Sequence, residues 1–324
     1  MKNSLVTAAG LLISSSAAVA AGAGLDGKLD EFRQFLQDYR REQLVPSLSI
    51  AVVKDGEVLL AESLGWQDHD GEEPTTPDTS YLVASITKTF TAVTLLAMEA
   101  DRHVDLDDDF TKLSDWDSRC EWLTNSDIIF GGGTLDDGTV VEPPRCDVPI
   151  SLRQVLQHRV QGEPGSRFIY NPITFGRLSD WVEQNTDRTW REWMSGYVIE
   201  PAGLDSLAAG WRDPAGCAAL KNLAPPFRHA PAQADGLAPS VLPNPELNAS
   251  SGIIASVLDL AAYSTALDQG RILPPALLEQ MWTPPTEFDG EPAAYAYGWW
   301  VQQWRVTGWY GTGAGGPMPT RVCC

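Results

Sequence analysis

Apolar and β-branched positions cluster from Ser47 to Val53 and again from Glu57 to Ser63, and the two runs are separated by Asp55-Gly56, residue types that tolerate positive φ. This pattern predicts a β-hairpin. A turn-rich stretch, Pro74 to Thr79, comes next. Ile86, Phe90, Val93 and Ala97 then recur at helical spacing as far as Ala100, which predicts a buried helix starting near Ser85. From about Phe110 to Pro275 the periodicity is helical with long loops. Ser151 with Gln154 reads as a capping box, and further helices fit 175–186, 188–199 and 256–268. Strand character returns over Ala294 to Val306. Hairpin, helix, helical middle and strand again imply an α+β chain. In it an α/β sheet layer formed by 21–109 and 276–324 is interrupted by a helical subdomain over 110–275.

The first twenty residues stand apart. Met1-Lys2 precede an apolar run from Leu5 to about Ala21 that contains Ala18-Val19-Ala20, which predicts a signal peptide over 1–20 cleaved after Ala20. The run is too short to span a membrane, no later run reaches about 18 apolar residues, and no cysteine follows the small residues to carry a lipid. A soluble, secreted or periplasmic product is expected. With 43 acidic against 23 basic residues the chain repels phosphate backbones and anionic membranes, so nucleic-acid binding is excluded as an expectation. In an exported chain Cys120 and Cys146 bracket a loop that a bridge could close or leave open.

Several patterns carry no chemistry. Cys217, Cys323 and Cys324 have no ligand spacing, and His69, His103, His158 and His229 lack H-x-x-x-H spacing, so no metal is expected. His158 closes a predicted helix, where contact with the helix dipole accounts for it. The acidic run Asp105 to Asp109 lacks the glycine and closing glutamate of a calcium loop and reads as a solvated turn. Gly311 to Gly316 has the form G-x-G-x-x-G without the following helix a dinucleotide site needs, so no cofactor is expected. Asn248-Ala249-Ser250 is a glycosylation sequon.

Ser85-Ile86-Thr87-Lys88 differs in kind from these. On a helix the i and i+3 side chains share one face, and a desolvated lysine can take the proton of an otherwise unreactive hydroxyl. From Thr79 to Ala92 the sequence resembles the nucleophile segment of the penicillin-recognising serine enzymes, which comprise the serine β-lactamases, the penicillin-binding proteins and their esterase and D-peptidase relatives. The resemblance extends over about residues 27 to 316. It includes the Lys54-Asp55-Gly56 hairpin, Ser151 to His158, Pro164 to Asn171, Pro201 to Leu204 and Ser251 to Leu260.

The resemblance implies a β-lactamase/transpeptidase-like antiparallel sheet flanked by helices. It makes Ser85 the nucleophile, Lys88 its base and Tyr170 the proton relay of the second motif. That motif is commonly Y-x-N, whereas here Tyr170-Asn171-Pro172 moves the asparagine one residue early, which tilts the expectation from β-lactamase towards esterase-like action; Asn171 is carried as a substrate contact. The third motif falls on Gly311-Thr312-Gly313 or on Trp309-Tyr310-Gly311, neither of which holds the usual cation; Thr312 and Gly313 are the expected oxyanion and substrate positions. Relative to the family, the resemblance implies that C-terminal strands are missing beyond Cys324, which would leave a sheet edge unpaired. The expected substrate is a small ester, a β-lactam or a D-amino-acid peptide. The alternative expectation is a catalytically silent member that binds peptidoglycan-like ligands or a partner.

Overall fold

The expected hairpin forms. Strands β1 (Ser47–Lys54) and β2 (Glu57–Gly65) are hydrogen-bonded neighbours, and both residues of the intervening turn are left-handed, Asp55 at φ 53° and Gly56 at φ 79°. Two positive-φ positions in a two-residue loop match the right-handed twist of the strands they join. The computed structural model describes residues 13–126, 128, 131–134, 138–230, 236–241, 246–287, 289–302 and 320–322. These fall into two compact units: the described residues of Met1–Val52, Val58–Pro77 and Ala224–Val241, and those of Val53–Glu57, Asp78–Leu223 and Leu242–Cys324. The units cut across the ranges 21–109, 110–275 and 276–324 read from the sequence.

In the first unit helix α1 (Ile13–Glu42) precedes the hairpin, and its start overlaps the leader expected over 1–20. Arg33 pairs with both Asp30 and Glu62, tying α1 to β2. Gly65, at φ 97°, lets β2 pass so close to Pro46 that an added Cβ would lie 1.9 Å from its carbonyl oxygen. No described helix is long and apolar enough to cross a membrane.

The second unit is organised around one helix. Strand β3 (Ser80–Leu82) leads into a 3₁₀ turn, Ala84–Ile86, and then into α2 (Thr87–Ala100), which is buried continuously from Thr87 to Leu96. A helix buried on every side belongs inside a core. Phe90, for example, stacks on Tyr263 with ring centroids 4.0 Å apart. The threonines of α2 satisfy their hydroxyls within the fold: Thr91 Oγ1 donates to the Ala249 carbonyl at 2.7 Å, Thr94 Oγ1 to that of Phe90 at 2.9 Å, and Thr87 Oγ1 accepts from Ile253 N–H at 3.3 Å. The bonds of Thr91 and Thr87 fix α2 against the segment 249–253.

After α2 the chain runs through α3 (Trp116–Thr124), β4 (Gly133–Thr134), β5 (Val140–Val141), α4 (Leu152–Leu156), α5 (Pro172–Gly176), α6 (Leu178–Asn185) and α7 (Trp190–Met194). Strand β6 (Ala208–Ala209) and helix α8 (Cys217–Lys221) follow. In the first unit β7 (Phe227–His229) pairs antiparallel with β8 (Leu237–Pro239). The second unit resumes with β9 (Ile253–Ser256), α9 (Val257–Asp268), α10 (Pro275–Trp282), β10 (Trp300–Gln302) and β11 (Thr320–Val322). Strand β9 is the centre of an antiparallel trio, with Ser80 opposite Ser256 on one side and Ala208 opposite Ile254 on the other.

Capping boxes start α4 at Ser151, α7 at Thr189 and α9 at Ser256. The helix expected over 175–186 is broken at Arg177, and that over 188–199 continues from α7 as a π turn, Ser195–Ile199. Cys120 and Cys146 do form a disulfide, with Cα atoms 5.8 Å apart and a sequence separation of 26.

The strand expected over 294–306 is realised only as Trp300–Gln302 among the described residues. Ala294 to Trp299 instead makes a tight turn, in which Ala296 N–H donates to the Trp299 carbonyl at 2.9 Å. Gly298, at φ 74°, sits on α2: a Cβ there would lie 2.4 Å from the Lys88 carbonyl oxygen and 3.0 Å from Ala92 Cβ. Burial on both faces gives this run the apolar character of a strand without strand geometry. Gly298→Ala should therefore cost about 2–4 kcal/mol in a urea titration, from backbone strain plus overpacking against a helix that cannot yield.

Candidate active site

Ser85 occupies the turn ahead of α2. The residue before it, Ala84, is an exposed non-glycine with φ 44°, a left-handed conformation that carries strain and turns the chain sharply into the helix. Ser85 is consequently half-buried with its hydroxyl at the helix mouth, while Lys88, in the first turn of α2, is 1% exposed. The i, i+3 spacing brings them together, Lys88 Nζ donating to Ser85 Oγ at 3.0 Å. Nζ also donates to the Ser250 carbonyl at 3.0 Å and lies 5.1 Å from the Tyr170 ring centroid and 5.4 Å from that of Phe175. No carboxylate pairs with it among the described residues. Removal from water disfavours the ammonium, and the Lys88 pKa is lowered to about 8.

Tyr170 arrives from 85 residues further along the chain and donates its hydroxyl to Ser85 Oγ at 2.8 Å. Lys88 and Tyr170, far apart in sequence, thus meet at the Ser85 hydroxyl. The segment carrying Tyr170 is fixed on both sides. Ile169 N–H donates to the His158 carbonyl at 2.9 Å and Asn171 N–H to the His158 ring Nδ1 at 3.0 Å. On the outer side Trp300, at the start of β10, stacks on Tyr170 with centroids 6.2 Å apart and planes 19° from parallel.

Asn171, expected to contact substrate, has another task. It is fully buried, and its Oδ1 accepts from Ile173 N–H at 3.1 Å and Thr174 N–H at 3.0 Å, making it the N-cap of α5, with Pro172 following at the first helical position. The one-residue shift of the asparagine in Tyr170-Asn171-Pro172 is the sequence mark of that change of role. Thr312 and Gly313, like the alternative Trp309-Tyr310-Gly311, lie outside the described residues.

Two participants leave no motif in the sequence. Ser250 contributes a backbone carbonyl, which no side-chain motif reveals. It was visible only as part of the sequon, whose Asn248 Oδ1 accepts from Ser250 N–H at 2.8 Å and Ser251 N–H at 3.2 Å and so shapes the turn that aims the carbonyl. His158 follows the end of α4, as the sequence predicts, but its ring faces inward. It is 1% exposed, and burial together with the Lys88 charge holds it neutral, its pKa well below the ordinary histidine value.

A hydroxyl that accepts from a desolvated amine and a phenol, at the mouth of a buried helix, is the arrangement of a serine acyl-transfer site. The sequence profile of the Beta-lactamase family matches residues 32–318, and the chain belongs to that family. It is 28% identical over 271 residues to a D-aminopeptidase of Gluconobacter oxydans, an alignment covering 78% of this chain and 48% of the relative. Among solved structures it resembles the octameric penicillin-binding protein homologue from Pyrococcus abyssi, with a TM-score of 0.64, 21% identity, and coverage of 85% of this chain and 65% of the other. It likewise resembles the D-amino acid amidase from Ochrobactrum anthropi, with a TM-score of 0.62, 21% identity, and coverage of 85% and 81%. At these identities the structural likeness establishes the shared fold. The chain spans about half the length of the D-aminopeptidase it matches.

Proposed function

We propose that this protein is an exported serine hydrolase that cleaves an ester or amide through an acyl-enzyme on Ser85. The observation that carries the proposal is the Ser85 hydroxyl held at 3.0 Å from Lys88 Nζ and 2.8 Å from Tyr170 OH. Lys88, as the free amine, takes the Ser85 proton while Oγ attacks the carbonyl carbon. Tyr170 passes its phenol proton to the departing oxygen or nitrogen and regains one from the Lys88 ammonium. Water then attacks the acyl carbon as Lys88 takes its proton, and the ammonium passes that proton to Ser85 Oγ as it leaves, restoring the hydroxyl and the free amine. The Ser85 N–H and a backbone N–H near Thr312 or Gly313 are the proposed oxyanion donors.

Small esters are the favoured substrates, because Asn171 is committed to capping α5 and offers substrate no amide. D-Aminoacyl amides are the first amides to test, in view of the D-aminopeptidase and D-amino acid amidase relatives. Export is supported by the apolar leader and by the Cys120–Cys146 disulfide, a bond that persists in oxidising compartments. A fluorophosphonate should label the folded protein, the adduct should map to Ser85, and labelling and p-nitrophenyl acetate turnover should both vanish in Ser85→Ala. Labelling that survives this change refutes the assignment. A folded protein with neither labelling nor turnover would mark a silent binding module.

A further inference from the structure

His158 touches no reacting atom, yet the segment that delivers Tyr170 hangs on it. Its carbonyl receives Ile169 N–H and its ring Nδ1 receives Asn171 N–H, at 2.9 and 3.0 Å, so the residues on both sides of Tyr170 are bonded to one side chain and its own backbone. The ring also lies against the Tyr170 ring, centroids 4.3 Å apart, and is wedged there by Phe175 at 4.8 Å and Tyr295 at 5.0 Å. The backbone of His158 is itself left-handed, φ 53°, at the end of α4. Only a few residue types enter that region readily, asparagine among them.

The direction of the ring bond is fixed by chemistry. A backbone N–H can only donate, so Nδ1 presents its lone pair and the proton of the neutral ring sits on Nε2. A doubly protonated ring would have no acceptor for Asn171. Lys88 on α2, Tyr170 on its loop and Tyr295 ahead of β10 are the titratable groups around the ring, and Lys88, the cation among them, opposes its protonation. Nε2, fully buried, has no hydrogen-bond partner among the described residues. The polar work of the ring is therefore done at Nδ1.

We propose that His158 is a positioning residue, whose carbonyl and Nδ1 clamp residues 169 to 171 so that the Tyr170 hydroxyl stays on Ser85 Oγ. This rests on the reading of Tyr170 as proton donor to the leaving group. A ring that merely filled space would matter equally to every substrate, whereas a clamp on the proton donor matters most where the leaving group needs a proton.

The test uses the full chain with His158→Leu, which keeps bulk without an acceptor, His158→Asn, whose Oδ1 falls near the place of Nδ1, and His158→Gln, whose amide reaches too far. Active sites are counted by fluorophosphonate labelling, and kcat/KM per labelled site is measured for p-nitrophenyl acetate, which expels a stable phenolate, and for an alkyl acetate, which expels a basic alkoxide. In His158→Leu the alkyl ester should lose at least about tenfold more rate than the activated ester, as expected when a general acid is displaced. His158→Asn should stay within about threefold of the unmodified protein on both esters, a margin of less than one kcal/mol. Equal losses on the two esters in His158→Leu, or an asparagine variant as impaired as the leucine one, overturn the clamp. Should His158→Leu not fold, the asparagine and glutamine variants decide: a ratio kept by Asn and lost by Gln supports the clamp, and identical ratios overturn it. If the unmodified protein is not labelled, the acyl-enzyme reading fails first, an outcome distinct from a labelled enzyme whose ratios do not move.

Discussion

Lys88→Met is expected to yield a protein that resists urea better than the original at pH 7 and, on the proposed mechanism, hydrolyses p-nitrophenyl acetate at least about a thousandfold more slowly, because Ser85 loses its base. The gain in stability follows from linkage. The Lys88 pKa in the fold is about 8 against 10.5 for the free side chain, so the unfolded chain binds the extra proton between those values. Stability from this group is therefore present above pH 10.5, falls as the pH descends towards 8, and is absent below, where an ammonium is forced into the core. The gap of about 2.5 pKa units amounts to about 3 kcal/mol of penalty at pH 7. Methionine, of similar shape, escapes it but leaves the Ser250 carbonyl without its donor, at a cost of about 1 kcal/mol. The net gain is about 2 kcal/mol at pH 7, and it should shrink to nothing as urea titrations are moved towards pH 10. A variant less stable than the original at pH 7 would show that Lys88 is not carried as a strained cation. In the unmodified enzyme the same ionisation should make kcat/KM climb with pH, reaching half its plateau near pH 8.

Tyr170→Phe should leave folding and phosphonate labelling largely intact, since the ring keeps its place beside His158 and Trp300. On the proposed mechanism it removes the proton delivered to the leaving group. Hydrolysis of an alkyl ester or an amide should fall by roughly a hundred- to ten-thousandfold, and that of p-nitrophenyl acetate by far less. Equal losses on the two ester classes would count against Tyr170 as the donor, and a loss of labelling would mean that its hydroxyl instead tunes the nucleophile. The comparison also sets the scale for His158→Leu, which displaces the phenol without deleting it.

The pairing of Ser85 with Lys88 was legible because it is local: i, i+3 spacing on a helix fixes it whatever the rest of the chain does. Tyr170 lies 85 residues away, and no periodicity places it; only the resemblance of Pro164 to Asn171 did. The three come together because β3 and the Ala84 turn aim α2 while His158 holds the tyrosine segment, and that second hold is a bond to backbone N–H, to which sequence patterns are blind. In sequence Asn171, one residue out of register, looks like a displaced ligand; in the fold its side chain caps α5. Ala294 to Trp299 was misread because apolar character signals burial, not extension; the left-handed Gly298 against the Lys88 carbonyl decides its shape. The hairpin turn and the capping boxes at Ser151 and Ser256 were legible for the opposite reason, each being a short-range hydrogen-bonding solution that its own residues complete.

The bond between Cys120 and Cys146 makes a closed covalent ring of everything between them, including the exposed Gly133-Thr134 and Val140. A protease that nicks this stretch opens the ring without severing the molecule, because both cut ends stay joined through sulfur. Under denaturing conditions the two halves flanking the nick, one bearing Ser85 and the other Tyr170, would travel as a single species without thiol and separate once a thiol is added.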